Sequence, residues 1–133
     1  MAHVLVIDDD EAIRTAMRAA LEEFGGHTVL EAPDGKSGLE ILRASQKPLV
    51  VLLDLLMPVL DGLQVLRVVD ADKDLAARHA YVLVTVSRRA TSMQFAESLS
   101  MPVAFVSKPF DITEILDAVT EASQRISCGE FAG

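Results

Sequence analysis

The chain has 133 residues, half of them hydrophobic, which is enough for one domain with a buried core and no covalent staples. Its formal net charge of -8, with no dense run of Lys or Arg, excludes a surface built to track nucleic-acid phosphates. The single Cys128 excludes an intramolecular disulfide framework, and no apolar run approaches the roughly 20 residues needed to cross a bilayer. With no basic, cleavable leader ahead of the first apolar run, the chain reads as soluble and cytoplasmic, without a membrane partner.

The first apolar run, residues 3–7, predicts a strand that ends in Asp8, Asp9 and Asp10. Ile13, Met17, Ala20, Leu21 and Phe24 then fall on one face at helical spacing, with Asp10 placed to cap the first helix. Residues 27–32 form a second, more polar run that suits an edge strand. After the Asp34-Gly35 turn, residues 38–42 are apolar enough for a second helix. A third strand, residues 49–53, runs into Asp54, and the turn at Asp61-Gly62 leads into a third helix over 63–69. Residues 81–86 make the fourth strand. The fourth helix, within 88–100, has only a thin stripe of Met93, Phe95, Ala96 and Leu99. Residues 103–106 form the fifth strand, followed by Asp111 and Glu114 in a capping arrangement and a last helix striped by Ile112, Ile115, Leu116 and Val119. The domain is expected over 2–126, with 127–133 a disordered tail.

Four of the five strand runs are continuously apolar rather than alternating, as strands covered on both faces must be. Alternating strands and helices therefore give an α/β, (βα)₅ doubly wound fold: a five-stranded parallel sheet of order 2-1-3-4-5, flavodoxin-like. In such sheets the site forms beyond the carboxyl ends of the strands. Strand one delivers Asp8 and Asp9 there, strand three Asp54, strand four Thr85, and strand five Ser107, Lys108 and Pro109. Carboxylates crowded at an apolar sheet end need an offsetting cation, and oxygen-only donors select Mg²⁺ or Mn²⁺. Asp54 then suits a nucleophile towards phosphorus, with Thr85 and Lys108 able to bind the remaining phosphoryl oxygens.

The segments VLVIDDD (4–10), LLDLLMPVLDG (52–62), VLVT (82–85) and VSKPF (106–110) resemble those of bacterial response-regulator receiver domains, over about residues 2–126. The resemblance implies a phosphoacceptor domain of two-component (phosphorelay) signalling rather than a turnover enzyme. Asp54 would be the phosphoacceptor, and Asp8, Asp9, Asp54 and the backbone carbonyl of Leu56 would hold the metal. Thr85 would be the switch hydroxyl, Lys108 its ion-pairing amine, and Phe105 the aromatic switch. The Lys108-Pro109 bond would be cis. The implied donor is a sensor histidine kinase or a histidine phosphotransfer protein. Phosphorylation would switch the face made by the fourth helix, fifth strand and fifth helix towards an unknown output partner, with the chain a monomer or a phosphorylation-dependent dimer.

Three positions depart from the family pattern or bear on turnover. Val86 stands where a small residue is usual and would crowd access to Asp54, while Leu56 and Ser87 flank the path of a hydrolytic water to which Leu56 offers no hydrogen bond. Two other readings compete: a degenerate receiver serving only as a protein-binding module, and an Asp-nucleophile phosphohydrolase. The intact Asp8, Asp9, Asp54, Thr85 and Lys108 set argues against the first. Leu56, where a phosphohydrolase would carry a second Asp, argues against the second.

Overall fold

The computed structural model describes residues 2–55, 57, 60–85 and 90–132, with the side chains of 90–93 and 127–132 outside the description. In chain order the elements are β1 (His3–Ile7), α1 (Glu11–Gly25), β2 (Thr28–Ala32), α2 (Gly35–Ala44), β3 (Val50–Asp54), α3 (Gly62–Ala71), α4 (Lys73–Arg78), β4 (Ala80–Thr85), α5 (Ala90–Ser98), β5 (Val103–Ser107) and α6 (Ile112–Ala132). The five strands form one parallel sheet of order β2-β1-β3-β4-β5, so the more polar β2 occupies an edge as its composition suggests.

Each strand turns alternate residues to opposite faces, and the two faces build two cores. Val4, Val6, Val50, Leu52, Val82 and Val84 pack with Met17 and Leu21 of α1 and Ile115 and Val119 of α6. Leu5, Ile7, Val51, Leu53, Tyr81 and Leu83 pack on the other side with Leu39 and Leu42 of α2, Val65, Leu66 and Val69 of α3, and Leu75 of α4. Burial on both faces is why these strands read as unbroken apolar runs.

Caps set most helix starts. Asp10 accepts from the Ala12 and Ile13 amides, Asp34 from Ser37, and Asp61 forms a reciprocal capping box with Gln64. The Asp111 side chain accepts from the Glu114 amide while Glu114 accepts from the Asp111 amide, the arrangement predicted for the last helix. At its other end α1 stops at Gly26, whose φ of 65° is the left-handed conformation that glycine adopts without a Cβ penalty.

Four features differ from the sequence expectations. Helix α4 was not foreseen, because its six residues bury only Leu75 and therefore carry no periodic stripe; Asp72 caps it by accepting from the Asp74 and Leu75 amides. Phe24 lies at the angle of the buried stripe of α1 yet is 63% exposed, and Ile112, at the first turn of α6, is 47% exposed. Helical angle fixes where a side chain points, but cover depends on the reach of the elements opposite, and both residues occupy terminal turns. The backbone of α6 also continues to Ala132, through the stretch expected to be a disordered tail. No proline follows Pro109, and each residue added to an established helix gains a hydrogen bond. Helix α5 is shorter than the 88–100 window, and Arg88 and Arg89 lie outside the described residues.

Candidate functional site

Asp54 is the last residue of β3, paired in register with Val84, and Thr85 is the last residue of β4, paired with Ser107. Asp8 follows β1 immediately; its amide donates to Ala32 O across the sheet at 3.1 Å. The Lys108 amide donates to Thr85 O at 2.7 Å, which ties the end of β5 to the end of β4, and the Lys108-Pro109 peptide is cis. These links bring Asp8, Asp54, Thr85 and Lys108 to one edge of the sheet, with Asp8, Asp54 and Thr85 buried.

Lys108 Nζ donates to Asp8 Oδ2 at 3.2 Å and to Asp54 Oδ1 at 3.3 Å, spanning the two buried carboxylates. Exposed Asp9 completes a trio in which one carboxylate oxygen from each of Asp8, Asp9 and Asp54 lies within 4.8 Å of the others. Burial first, and then the Asp8 charge, push the Asp54 carboxyl above its ordinary pKa; the Lys108 ammonium pulls the other way without cancelling them. Burial works against the Lys108 charge too, but Asp54 and Asp8 together outweigh it and hold the ammonium's pKa above the ordinary lysine value. One ammonium thus faces three carboxylates, and an all-oxygen trio short of positive charge has the donor chemistry that a hard divalent cation such as Mg²⁺ or Mn²⁺ fits.

The response regulator receiver domain family model matches residues 4–120. The chain belongs to that family. This receiver domain is 34% identical over 130 residues to the response regulator MprA of Mycolicibacterium vanbaalenii, covering 98% of this chain and 54% of that protein. It is 37% identical over 113 residues to the MprA of Mycobacterium ulcerans, covering 85% of this chain and 46% of that one. The chain therefore spans about half the length of the curated relatives it matches. Among solved structures, the chemotaxis protein CheY4 of Vibrio cholerae superposes with a TM-score of 0.81 at 23% identity, over 92% of this chain and 98% of that one. The receiver domain of Francisella response regulator 1452 gives 0.79 at 25% identity, over 94% and 98%. The family places this receiver in two-component signalling, and no helix among its described residues is long and apolar enough to cross a membrane.

Phe105, in β5 of this receiver, is partly buried against the core on the α2, α3 and α5 side. It lines a surface hollow of about 480 Å³ together with Ala96, Leu99, Met101 and Val103. Leu56, Val86 and Ser87, singled out for metal coordination, access and hydrolysis, lie outside the described residues.

Two residues beside the site escaped the sequence reading. A Cβ built on Gly62 would stand 2.5 Å from Asp54 O and 2.9 Å from Leu55 Cα, and the Gly62 amide donates to Leu55 O at 2.9 Å. The start of α3 thus rests directly on the backbone of the nucleophile candidate, an approach that only glycine permits. Arg14, one turn into α1, donates through Nη1 to the backbone carbonyl of Asp8 at 2.6 Å. The Asp-Gly pair at 61–62 was legible as a turn but not as a contact with Asp54. Nothing in the sequence marks the Asp8 carbonyl as the target of Arg14.

Proposed function

We propose that this receiver accepts a phosphoryl group on Asp54 in a reaction dependent on Mg²⁺ or Mn²⁺. The observation that carries the proposal is the convergence of Asp8, Asp9 and Asp54 within 4.8 Å, with Lys108 bridging the two buried members. Asp8, Asp9, Asp54 and the backbone carbonyl of residue 56 would hold the cation. When bound, it offsets the carboxylate charge and neutralises charge on the incoming phosphoryl group. Asp54 Oδ forms the new bond to phosphorus as the bond from phosphorus to the donor's imidazole nitrogen breaks. The leaving imidazole keeps the electron pair and takes a proton from solvent. The donor is the phosphohistidine of a sensor kinase or of a histidine phosphotransfer protein, for which membership of the receiver family is the support.

Lys108, already paired with Asp54, balances the charge that the phosphoryl group brings, and Thr85 at the adjoining strand end offers it a hydroxyl donor. Drawing Thr85 towards the phosphoryl oxygens frees space next to β5. Phe105, with the hollow at its side, moves into it, and the face of α5, β5 and α6 changes towards an output partner. Val86 limits access by small donors, and Leu56 and Ser87 leave the hydrolytic water poorly positioned, so the phosphorylated state is long-lived.

Incubation with acetyl phosphate and Mg²⁺, read by intact-protein mass spectrometry, tests the core of this reading. A mass gain of one phosphoryl group that is lost in Asp54→Asn and abolished by chelation is expected. No gain with either acetyl phosphate or a phosphorylated kinase would leave a protein-binding module. Turnover of the donor without an accumulating phosphoprotein would point to a phosphohydrolase.

A further inference from the structure

Asp8 is almost wholly buried where β1 gives way to α1; its amide still bonds to Ala32 O across the sheet, but among the described residues no backbone amide donates to its carbonyl. Such a buried carbonyl needs a donor. Arg14 supplies it at 2.6 Å from Nη1, while its Nε donates to Glu31 Oε1 of β2 at 3.3 Å. Glu31 Oε2 in turn accepts from Arg18 Nη1 at 2.9 Å, and Arg18 Nε donates to Glu22 Oε2 at 3.2 Å. The guanidinium is therefore gripped from two sides: by the carboxylate of the edge strand and by the carbonyl of the acidic loop.

The carbonyl of Asp8 belongs to the peptide group that joins Asp8 to Asp9. With the Asp8 amide already bonded to Ala32 O, fixing that plane restricts ψ of Asp8 and the placement of the Asp9 Cα, and so narrows the directions in which the two side chains can leave the backbone. Asp8 Oδ1 also accepts from the Asp10 amide at 2.9 Å, and Asp8 Oδ2 from Lys108, so the carboxylate is held at both oxygens once its backbone is set. We infer that Arg14 is a positioning residue for the cation site: through the Asp8 carbonyl it orients the Asp8-Asp9 peptide so that both carboxylates converge on Asp54. Its charge also sits behind a loop that carries three consecutive aspartates, where it opposes their mutual repulsion without occupying the site. A lysine cannot reproduce the role, since one ammonium cannot present the planar fork that meets Glu31 and the carbonyl together.

This inference rests on the proposed cation site, and its test separates the two. Mg²⁺ affinity is measured by calorimetry on the folded protein, well below its melting temperature, for wild type, Arg14→Met, Arg14→Lys and Glu31→Gln. Loss of a residue that orients metal ligands typically weakens binding by about 10- to 100-fold, which is the expectation for Arg14→Met. Arg14→Lys should fall between it and wild type. Glu31→Gln, which keeps the bond to the Asp8 carbonyl, should stay within about threefold of wild type, a difference of about 0.65 kcal/mol by the usual conversion. A dissociation constant in Arg14→Met equal to wild type overturns the inference whatever its melting temperature. Equal losses in Arg14→Met and Glu31→Gln also overturn it, because the effect would then belong to the pairing of α1 with β2. Should Arg14→Met not fold, Arg14→Lys carries the same comparison. Hydrogen exchange of the Asp10 amide in the metal-free protein supplies a readout independent of any cation, since its partner is Asp8 Oδ1. Faster exchange in Arg14→Met is expected, and unchanged exchange counts against the inference. If wild type bound no Mg²⁺, the cation site would fall, and the exchange result alone would decide whether Arg14 orders the loop.

Discussion

Substituting Gly62 by alanine tests how closely the nucleophile candidate is held. The added Cβ would stand 2.5 Å from Asp54 O, and ordinary van der Waals contact begins at 3.4 Å, so the two must separate by about 0.9 Å. Neither partner is a flexible side chain: the obstacles are the Asp54 carbonyl and Leu55 Cα, both main chain, and the Gly62 amide is bonded to Leu55 O. Overpacking of this kind costs about 1–3 kcal/mol. For a domain of this size, that corresponds to a fall in melting temperature of roughly 3–15 °C. The same displacement acts on Asp54, and a misplacement of about 1 Å can cost about 100-fold in a reaction governed by positioning. The assay pairs thermal unfolding with the initial rate of Asp54 phosphorylation by acetyl phosphate at saturating Mg²⁺, well below the melting temperature. A Gly62→Ala protein that melts with wild type and reacts at the wild-type rate would show that α3 can retreat without disturbing β3.

Three further outcomes follow from the geometry. Lys108→Met removes the cation that spans Asp8 and Asp54, so Mg²⁺ should bind more tightly while phosphorylation slows at least about tenfold; calorimetric titration and mass spectrometry read the two opposite changes. Buried His79 accepts the Leu49 amide at Nδ1 (2.9 Å) and faces Leu42 O with Nε2 (3.2 Å), and burial, with a smaller contribution from Arg78 and opposed by Leu42 O and Asp74, lowers its pKa. The unfolded chain therefore takes up the proton first: the stability is fully present above pH ~6.5 and declines as pH falls towards the folded-state pKa, by at most about 1.4 kcal/mol per pH unit. Denaturant titrations across that window should show a shallower slope for His79→Gln, which cannot titrate, and identical slopes would refute the assignment. Tyr81→Phe leaves buried Leu75 O without the hydroxyl that donates to it at 2.9 Å and should cost about 1–2 kcal/mol in urea unfolding, with no effect on phosphorylation.

The strands were legible because burial on both faces leaves a direct mark: Val4 to Ile7 and Val50 to Leu53 have no polar residue to interrupt them, whereas Glu31 and Thr28 betray β2 as an edge. The site was equally visible, since parallel strands deliver their terminal residues to one edge and Asp8, Asp54, Thr85 and Lys108 are all terminal or next to terminal. What stayed hidden depends on distances between elements. Leu75 is the one buried residue of α4, with only small alanines beside it and so no stripe to set a period, and Phe24 points correctly but stays 63% exposed. Arg14 acts on a main-chain carbonyl, a group that every residue carries and no sequence pattern singles out.

The bond between Lys108 and Asp8 closes a span of 100 residues, and the one between Lys108 and Asp54 a span of 54. The first encloses every crossover between β1 and β5 and the second those between β3 and β5, and none of these can be shortened to a hairpin, because parallel neighbours need a crossover connection. Contacts of such long range also make for slow folding relative to a helical bundle of equal length. A chain emerging from the ribosome would expose Asp8 and Asp54 well before Lys108 arrives to pair them. On the proposed function, full reactivity of Asp54 would then appear only at the end of folding, so a half-made receiver would compete poorly for the signal.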